Sequence, residues 1–160
     1  MPVVFHPLPT DEVRALQAGG RDAYGHAPER AVSDGGGAPC RHCLRHVPEG
    51  AAMLILAHCP FPAPQPYAET GPIFLCADAC PAWDPARGVP PVLKTAPDYL
   101  IKGYGDDDRI VYGTGRVAPA DRIVRDCETL FADPRVAYIH IRSARNNCYQ
   151  ARAVRGQGAR

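Results

Sequence analysis

The chain has 160 residues, a formal net charge of +1 and 22% charged residues. This length corresponds to one domain, and the balanced charge excludes a disordered charged tail and disfavours nucleic-acid binding. No apolar run approaches the roughly 18 residues that a membrane-spanning helix needs. We expect a single α+β domain over residues 1–160, with its core at about 39–155, that binds neither nucleic acid nor membranes.

Seven cysteines and eighteen prolines are the unusual features of the composition. Residues 1–10 contain neither the basic segment nor the apolar run of a secretory signal, so we expect a cytoplasmic protein. The many arginines and alanines are typical of a GC-rich bacterial genome. In a reducing cytoplasm, cysteines are free thiols or metal ligands more often than disulfides.

The first half of the chain contains one amphipathic helix and two short apolar segments. The helix is expected to begin at Thr10, as its N-cap, and to end at Gly19-Gly20. Residues 51–57 and 73–77 are nearly continuous apolar runs that predict buried strands. The proline-rich segment 60–66 between them lacks the amide donors that a strand interior needs.

The second half predicts a hairpin, a helix and two further strands. Residues 99–104 and 109–116 have the pattern of two strands joined by a turn. A stripe of apolar residues predicts a helix over 119–132, with proline at its first turn. Strands follow at 136–142 and 148–154. The fold is therefore expected to be mostly antiparallel sheet with two helices packed against it.

The densest cluster of metal-ligand residue types is the sequence Cys40-Arg-His-Cys43. A Cys-x-x-Cys turn presents two sulfurs to one tetrahedral metal, and Cys76 and Cys80 are the candidates for a second pair. Zinc is the metal expected for four such ligands. Two alternatives stay open, namely a redox-active Cys-x-x-Cys and unligated thiols. The redox alternative is disfavoured because Pro48-Glu49-Gly50 does not continue as the helix that would stabilise a thiolate.

Alternation in the last two strands places polar side chains on one face of the sheet. A five-residue loop at 143–147 would pair Arg142 with Cys148 and His140 with Gln150, although this register depends on the loop length. The polar face would then carry six side chains, those of Tyr138, His140, Arg142, Cys148, Gln150 and Arg152.

Three interpretations of this face stay open. It could be an ordinary solvated sheet face. It could bind a small anionic ligand, because Arg142 and Arg145 offer forked donors to carboxylate or phosphate and Asn146 adds an amide donor. It could also be the site of a hydrolase or transferase, with Cys148 as nucleophile and His140 as base. Anion binding is the leading hypothesis, and a zinc-stabilised structural or interaction module through the four cysteines is the alternative.

The ordered motifs of the chain resemble those of the bacterial domain-of-unknown-function family 1203. The motifs are Pro39-Cys40-Arg41 followed by Leu44, then Pro66-Tyr67, then Gly71-Pro72-Ile73-Phe74, and finally Arg142 with Cys148-Tyr149. The resemblance implies no activity, because the family has none established. It does imply a set of candidate site residues, namely Cys40, Arg41, Tyr67, Arg142, Cys148 and Tyr149. Tyr67 and Glu69 are expected at the mouth of any cavity beside the sheet.

Overall fold

The computed structural model describes residues 2–157, and their strands form two antiparallel sheets. The large sheet consists, in spatial order, of β1 (Val3–His6), β8 (Tyr149–Arg155), β7 (Tyr138–Ser143), β5 (Asp98–Tyr104) and β6 (Arg116–Pro119). The small sheet consists of β2 (Glu29–Val32), β3 (Ala52–His58) and β4 (Gly71–Cys76). Strands β1 and β2 were not expected from the sequence, because both are four-residue edge strands with little apolar alternation.

The two predicted helices are α1 (Thr10–Gln17) and α2 (Ile123–Phe131). A single 3-10 turn, Ala120–Arg122, precedes α2, so the predicted helix over 119–132 begins as a tighter turn. Thr10 is the first helical residue rather than the N-cap, because its hydroxyl pairs with the ring of His42. Two further 3-10 turns lie at Pro85–Arg87 and Pro91–Leu93. These elements confirm the α+β fold class.

Two of the three apolar clusters among the described residues form where a helix packs against a sheet. One face of the large sheet packs its alternate residues, among them Ile101, Ile139 and Ile141, against α2. The small sheet packs against α1, where Val13 and Leu16 are the buried helix residues. The remaining face of the large sheet is therefore the region in which polar side chains lie inside the protein.

The predicted strand over 109–116 is wrong. After β5 the chain turns, and only Ile110 forms a bridge, with Tyr104, before β6 begins at Arg116. The reason is that the Thr114 side chain forms hydrogen bonds here in place of those between two strand backbones. The Thr114 hydroxyl accepts a hydrogen bond from the Gly103 amide at 2.9 Å and donates to the Val111 carbonyl at 2.6 Å.

The predicted register of β7 and β8 is also wrong. A β-bulge shifts the pairing, so that Arg142 lies opposite Tyr149 and His140 lies opposite Arg152. A bulge gives one strand an extra residue and reverses which side chains share a face beyond it. Tyr149 thereby joins the polar face, opposite Arg142.

The polar face is buried, contrary to the interpretation as a solvated sheet face. Tyr138, His140 and Arg142 have relative exposures of 3%, 1% and 4%. Phe61, from the proline-rich segment, covers them and lies 5.0 Å from the His140 ring. Such burial requires the polar atoms to find partners inside the protein.

Arg155 ties the C-terminal end of α2 to the large sheet. Its guanidinium donates to three backbone carbonyls, those of Phe131 at 2.8 Å, Asp133 at 3.0 Å and Val136 at 2.7 Å. The same group lies over the Phe131 ring at 4.9 Å. Carbonyls at the C-terminal end of a helix have no intrahelical hydrogen-bond partner. The Arg155 side chain therefore supplies the donors for the backbone carbonyls in this region.

We predict that Arg155→Ala lowers the free energy of unfolding by about 3 kcal/mol, because several charge-assisted hydrogen bonds are lost together. Urea denaturation measures the loss. Arg125→Ala is the matched control, because this α2 arginine is exposed, and its effect should stay within about 0.5 kcal/mol. Equal effects of the two substitutions would contradict the assigned role of Arg155.

Candidate functional site

Four cysteines from two separate parts of the chain meet beside the small sheet. Cys40 and Cys43 belong to a tight turn, and a parallel bridge between Cys40 and Phe74 holds this turn against β4. Cys76 is the last residue of β4, and Cys80 follows in the next loop. The two pairs that the sequence predicts are therefore brought together by the pairing of the turn with β4.

The geometry is that of a tetrahedral site. The four Sγ atoms lie within 4.8 Å of one another, with 3.9 Å between those of Cys40 and Cys80 and 4.0 Å between those of Cys43 and Cys76. A tetrahedral centre with metal–sulfur bonds of about 2.3 Å holds its sulfurs about 3.8 Å apart. The Cys76 amide also donates to Cys40 Sγ at 3.3 Å, which stabilises a thiolate there. The four cysteines thus lie at the distances of a metal centre.

The four thiols are electrostatically linked. Hydrogen bonds from Cys43, Cys76 and Cys80 hold the pKa of Cys40 far below its ordinary value. The pKa of Cys76 is raised far above its ordinary value, because its proton is held first by Cys40 and then by Cys43 and Cys80. A metal cation that binds to such a cluster takes the place of the thiol protons.

Side chains around the cluster supply further donors. His42 is fully buried, with Nδ1 3.2 Å from Cys80 Sγ and Nε2 2.9 Å from the Thr10 hydroxyl. Arg14 donates to the Cys80 carbonyl at 2.7 Å. Groups that hold metal ligands in place in this way are a regular part of metal centres. His42 was not among the predicted site residues, although its position inside the Cys-x-x-Cys turn was a signal for this role.

The second candidate site is a cavity of about 210 Å³ between the two sheets, which we call the arginine pocket. Its walls include Arg142, Asn146 and Cys148 on one side and Glu69, Pro72 and Ile73 on the other. The pocket combines a buried cation, amide groups and apolar surface. This combination is typical of sites for small charged ligands.

Arg142 is the only buried charge of this pocket's wall within residues 2–157, and it is incompletely paired. Its Nη1 donates to the Asn147 carbonyl at 3.2 Å and lies 3.5 Å from Glu69 Oε2. Nε and Nη2 are buried without a hydrogen-bond partner in the described part of the chain. An unsatisfied buried donor costs about 1–3 kcal/mol, and more when it is charged.

A histidine inside an aromatic cluster lies behind the pocket. The His140 ring is surrounded by Phe61, Tyr104, Tyr138 and Tyr149, at centroid distances of 4.8–5.0 Å. Burial, followed by the charges of Arg142 and other nearby cations, holds the pKa of His140 well below its ordinary value. The ring is therefore neutral, and its role is packing against the aromatic side chains.

The predicted pairing of Cys148 with His140 is not formed. Both His140 ring nitrogens lack a hydrogen-bond partner among residues 2–157, so no such bond links them to Cys148. The Cys148 thiol lies 3.7 Å from the Asn146 carbonyl instead. Cys148 and His140 are therefore not hydrogen-bonded to each other.

The other predicted ligand-binding residues are dispersed. Arg145 is exposed and pairs with Asp98 at 2.6 Å. Tyr67 contacts the exposed Tyr112, with 2.9 Å between the hydroxyl oxygens, whereas Glu69 does line the arginine pocket as expected. Asn146 is also at the pocket wall.

Arg41 is buried and lies between the two candidate sites. Its Nε donates to the Tyr149 carbonyl at 2.6 Å, and Tyr149 is part of the pocket wall. Burial lowers the pKa of Arg41 to about 10, which the nearby Cys148 and Cys40 thiols oppose. Because Arg41 directly follows Cys40, one side chain connects the cysteine cluster to the pocket.

His58 separates the arginine pocket from a larger neighbouring cavity of about 700 Å³. It is 8% exposed, and its Nδ1 lies 3.7 Å from Glu12 Oε1. Burial, followed by the charges of Arg41 and Arg142, lowers the pKa of His58 to about 4. His58 and Phe61 were missed as site residues, because His58 is the last residue of β3, Phe61 lies in the proline-rich segment, and neither belongs to a ligand-binding motif.

We predict that His58 makes the protein acid-sensitive. Because its pKa is lower when folded than the unfolded value of about 6.5, protonation favours the unfolded state. This penalty is absent above about pH 6.5 and grows as the pH falls to about 4. Wild-type protein should therefore lose about 3 kcal/mol more than His58→Gln between about pH 7 and pH 4, measured by urea unfolding. Parallel pH profiles of the two proteins would contradict the lowered pKa.

Among the described residues, no helix has the length and apolarity to cross a membrane.

Comparison with known proteins places the chain in a family. No curated protein and no solved structure matches the chain. The sequence profile of one family, described as "Protein of unknown function (DUF1203)", matches residues 37–155, which include the four cysteines, Arg41, Glu69 and Arg142. The chain therefore belongs to the DUF1203 family.

Proposed function

We propose that the chain is a zinc-stabilised module in which Cys40, Cys43, Cys76 and Cys80 bind one zinc ion. The observation that carries this proposal is the tetrahedral spacing of the four sulfurs. Tetrahedral four-sulfur sites hold zinc or iron, and zinc needs no redox partner. Four protein ligands leave no open coordination position, so the site is structural rather than catalytic.

The position of the cluster explains what the metal would stabilise. All three strands of the small sheet border the segments that carry the cysteines. Residues 33–51, which include Cys40 and Cys43, connect β2 to β3, and the loop with Cys80 follows β4. The turn that contains Cys40 also carries Arg41, which contacts the large sheet. Metal binding at a structural site contributes directly to folding free energy, by about 10–16 kcal/mol in isolated zinc fingers. This is comparable to the whole stability of a domain of this size.

We predict about one equivalent of zinc in protein purified without added metal, measured by mass spectrometry. Cys80→Ser should remove it and lower the melting temperature, since one of four ligands is lost. Cys59→Ser is the matched control, because this partly buried cysteine lies outside the cluster.

Chelation of wild-type protein provides a second measurement that does not depend on the folding of a variant. The chelator should lower the melting temperature, and added zinc should restore it. Less than a tenth of an equivalent of any metal in the purified protein would refute the proposal. A coloured protein that contains iron in place of zinc would refute the choice of metal.

We infer, as a second function, that the arginine pocket binds a small anionic ligand. The supporting observation is Arg142, which is 4% exposed and lines the cavity with two of its nitrogens unpaired within residues 2–157. Arginine offers a planar fork of donors that matches carboxylate and phosphate. The apolar surface of Pro72 and Ile73 favours a ligand with a small hydrocarbon part.

We predict that acetate or phosphate stabilises the protein relative to chloride at equal ionic strength. At about ten to thirty times the dissociation constant, the gain is about 1–2 kcal/mol. Arg142→Met should abolish it, because the cation that binds the anion is removed. Arg145→Met is the matched control, since Arg145 is exposed and pairs with Asp98. Stabilisation that survives in Arg142→Met would contradict binding at this pocket.

A further inference from the structure

We propose that the ligand of the arginine pocket is a small carboxylic acid, and that it binds by displacing the Glu69 carboxylate from Arg142. This inference rests on the proposed anion site and names both its ligand class and its internal competitor. The observation behind it is the ion pair of Glu69 and Arg142, in which the contact is long and the two side chains differ in burial.

The contact between Glu69 and Arg142 is weak. Its oxygen–nitrogen distance is 3.5 Å, whereas a charge-assisted hydrogen bond of this kind is about 2.7–2.9 Å. The two residues also differ in burial, since the side chain alone is 5% exposed for Arg142 and 44% exposed for Glu69. The cation is thus fixed inside the protein, and the carboxylate that approaches it comes from the solvent side.

Glu69 has an alternative partner, which makes displacement possible. Its other oxygen, Oε1, lies 3.6 Å from Lys102 Nζ. Glu69 is also outside any helix or strand, in the loop that leads into β4. When a ligand takes its place, the Glu69 carboxylate can remain paired with Lys102 and does not lose all of its favourable electrostatic contacts.

The character of the pocket favours a carboxylate as the incoming anion. The group that now approaches Arg142 is a carboxylate on a short hydrocarbon chain, so the site already accommodates this chemistry. The cavity of about 210 Å³ has room for a few non-hydrogen atoms beyond the acid group. Pro60, Pro72 and Ile73 provide apolar surface for that part of the ligand.

Competition makes a quantitative prediction. When a site is free for only a fraction of the time, the apparent dissociation constant of its ligand equals the intrinsic constant divided by that fraction. Glu69→Gln removes the competing charge and leaves the side chain's size unchanged. We therefore expect Glu69→Gln to lower the dissociation constant of acetate by about five- to tenfold.

The experiment is an NMR titration of the Arg142 Nε–Hε signal with sodium acetate, in wild type, Glu69→Gln and Glu12→Gln. The Glu12 variant is the matched control, because it removes one carboxylate beside His58 but does not contact Arg142. We expect Glu12→Gln to change the dissociation constant less than about twofold. A parallel titration with sodium phosphate tests the ligand class.

Each outcome decides a different point. An equal gain in both variants would show general electrostatics and overturn displacement. If acetate binds through Arg142 with the same affinity in wild type and Glu69→Gln, displacement is overturned while the proposed anion site stands. If acetate stabilises Arg142→Met against unfolding as much as it stabilises wild type, the anion site itself is refuted. Tighter binding of phosphate than of acetate in Glu69→Gln would overturn the assignment to carboxylic acids.

Discussion

The convergence of four cysteine sulfurs is the constraint on which the rest of this structure depends. It connects a turn, the end of β4 and the following loop, and α1 reaches the same place through Arg14 and Thr10. These segments also share one apolar core, to which Cys40 and Cys43 belong. The small sheet and α1 are therefore joined both by this core and by the convergence of the cysteines, whereas the large sheet packs against α2.

The interior between the two sheets is unusually cationic for a protein with a net charge near zero. Arg41, Arg142 and Lys102 all lie there, with Glu69 as their half-exposed counter-charge. Burying a charge is costly unless it is paired, so a fold that keeps these groups must gain something from them. The anion that we propose for the arginine pocket would provide that gain, which is why we locate the second function there and not on the molecular surface.

The sequence alone predicts the fold class, both helices, five of the strands and the set of four cysteines. These features depend on local patterns, namely apolar periodicity and the spacing of ligand residues along the chain. The face that Tyr149 occupies could not be predicted, because a single bulge reverses it and no local signal marked that bulge. The pairing of Arg145 with Asp98 could not be predicted either, because the two residues are 47 positions apart in the chain and meet only in the folded protein. The strand predicted at 109–116 failed because the Thr114 side chain replaced a backbone ladder.

Arg41 contacts the bulged part of β8 from outside the C-terminal hairpin. The carbonyl of Tyr149 accepts a hydrogen bond from this arginine, which is 108 positions earlier in the chain and adjacent to Cys40. Tyr149 is also the residue of β8 that lies opposite Arg142 and a wall residue of the arginine pocket. The cysteine turn and the arginine pocket therefore share a structural connection, so that a change in the backbone of the turn can alter how the pocket wall is held.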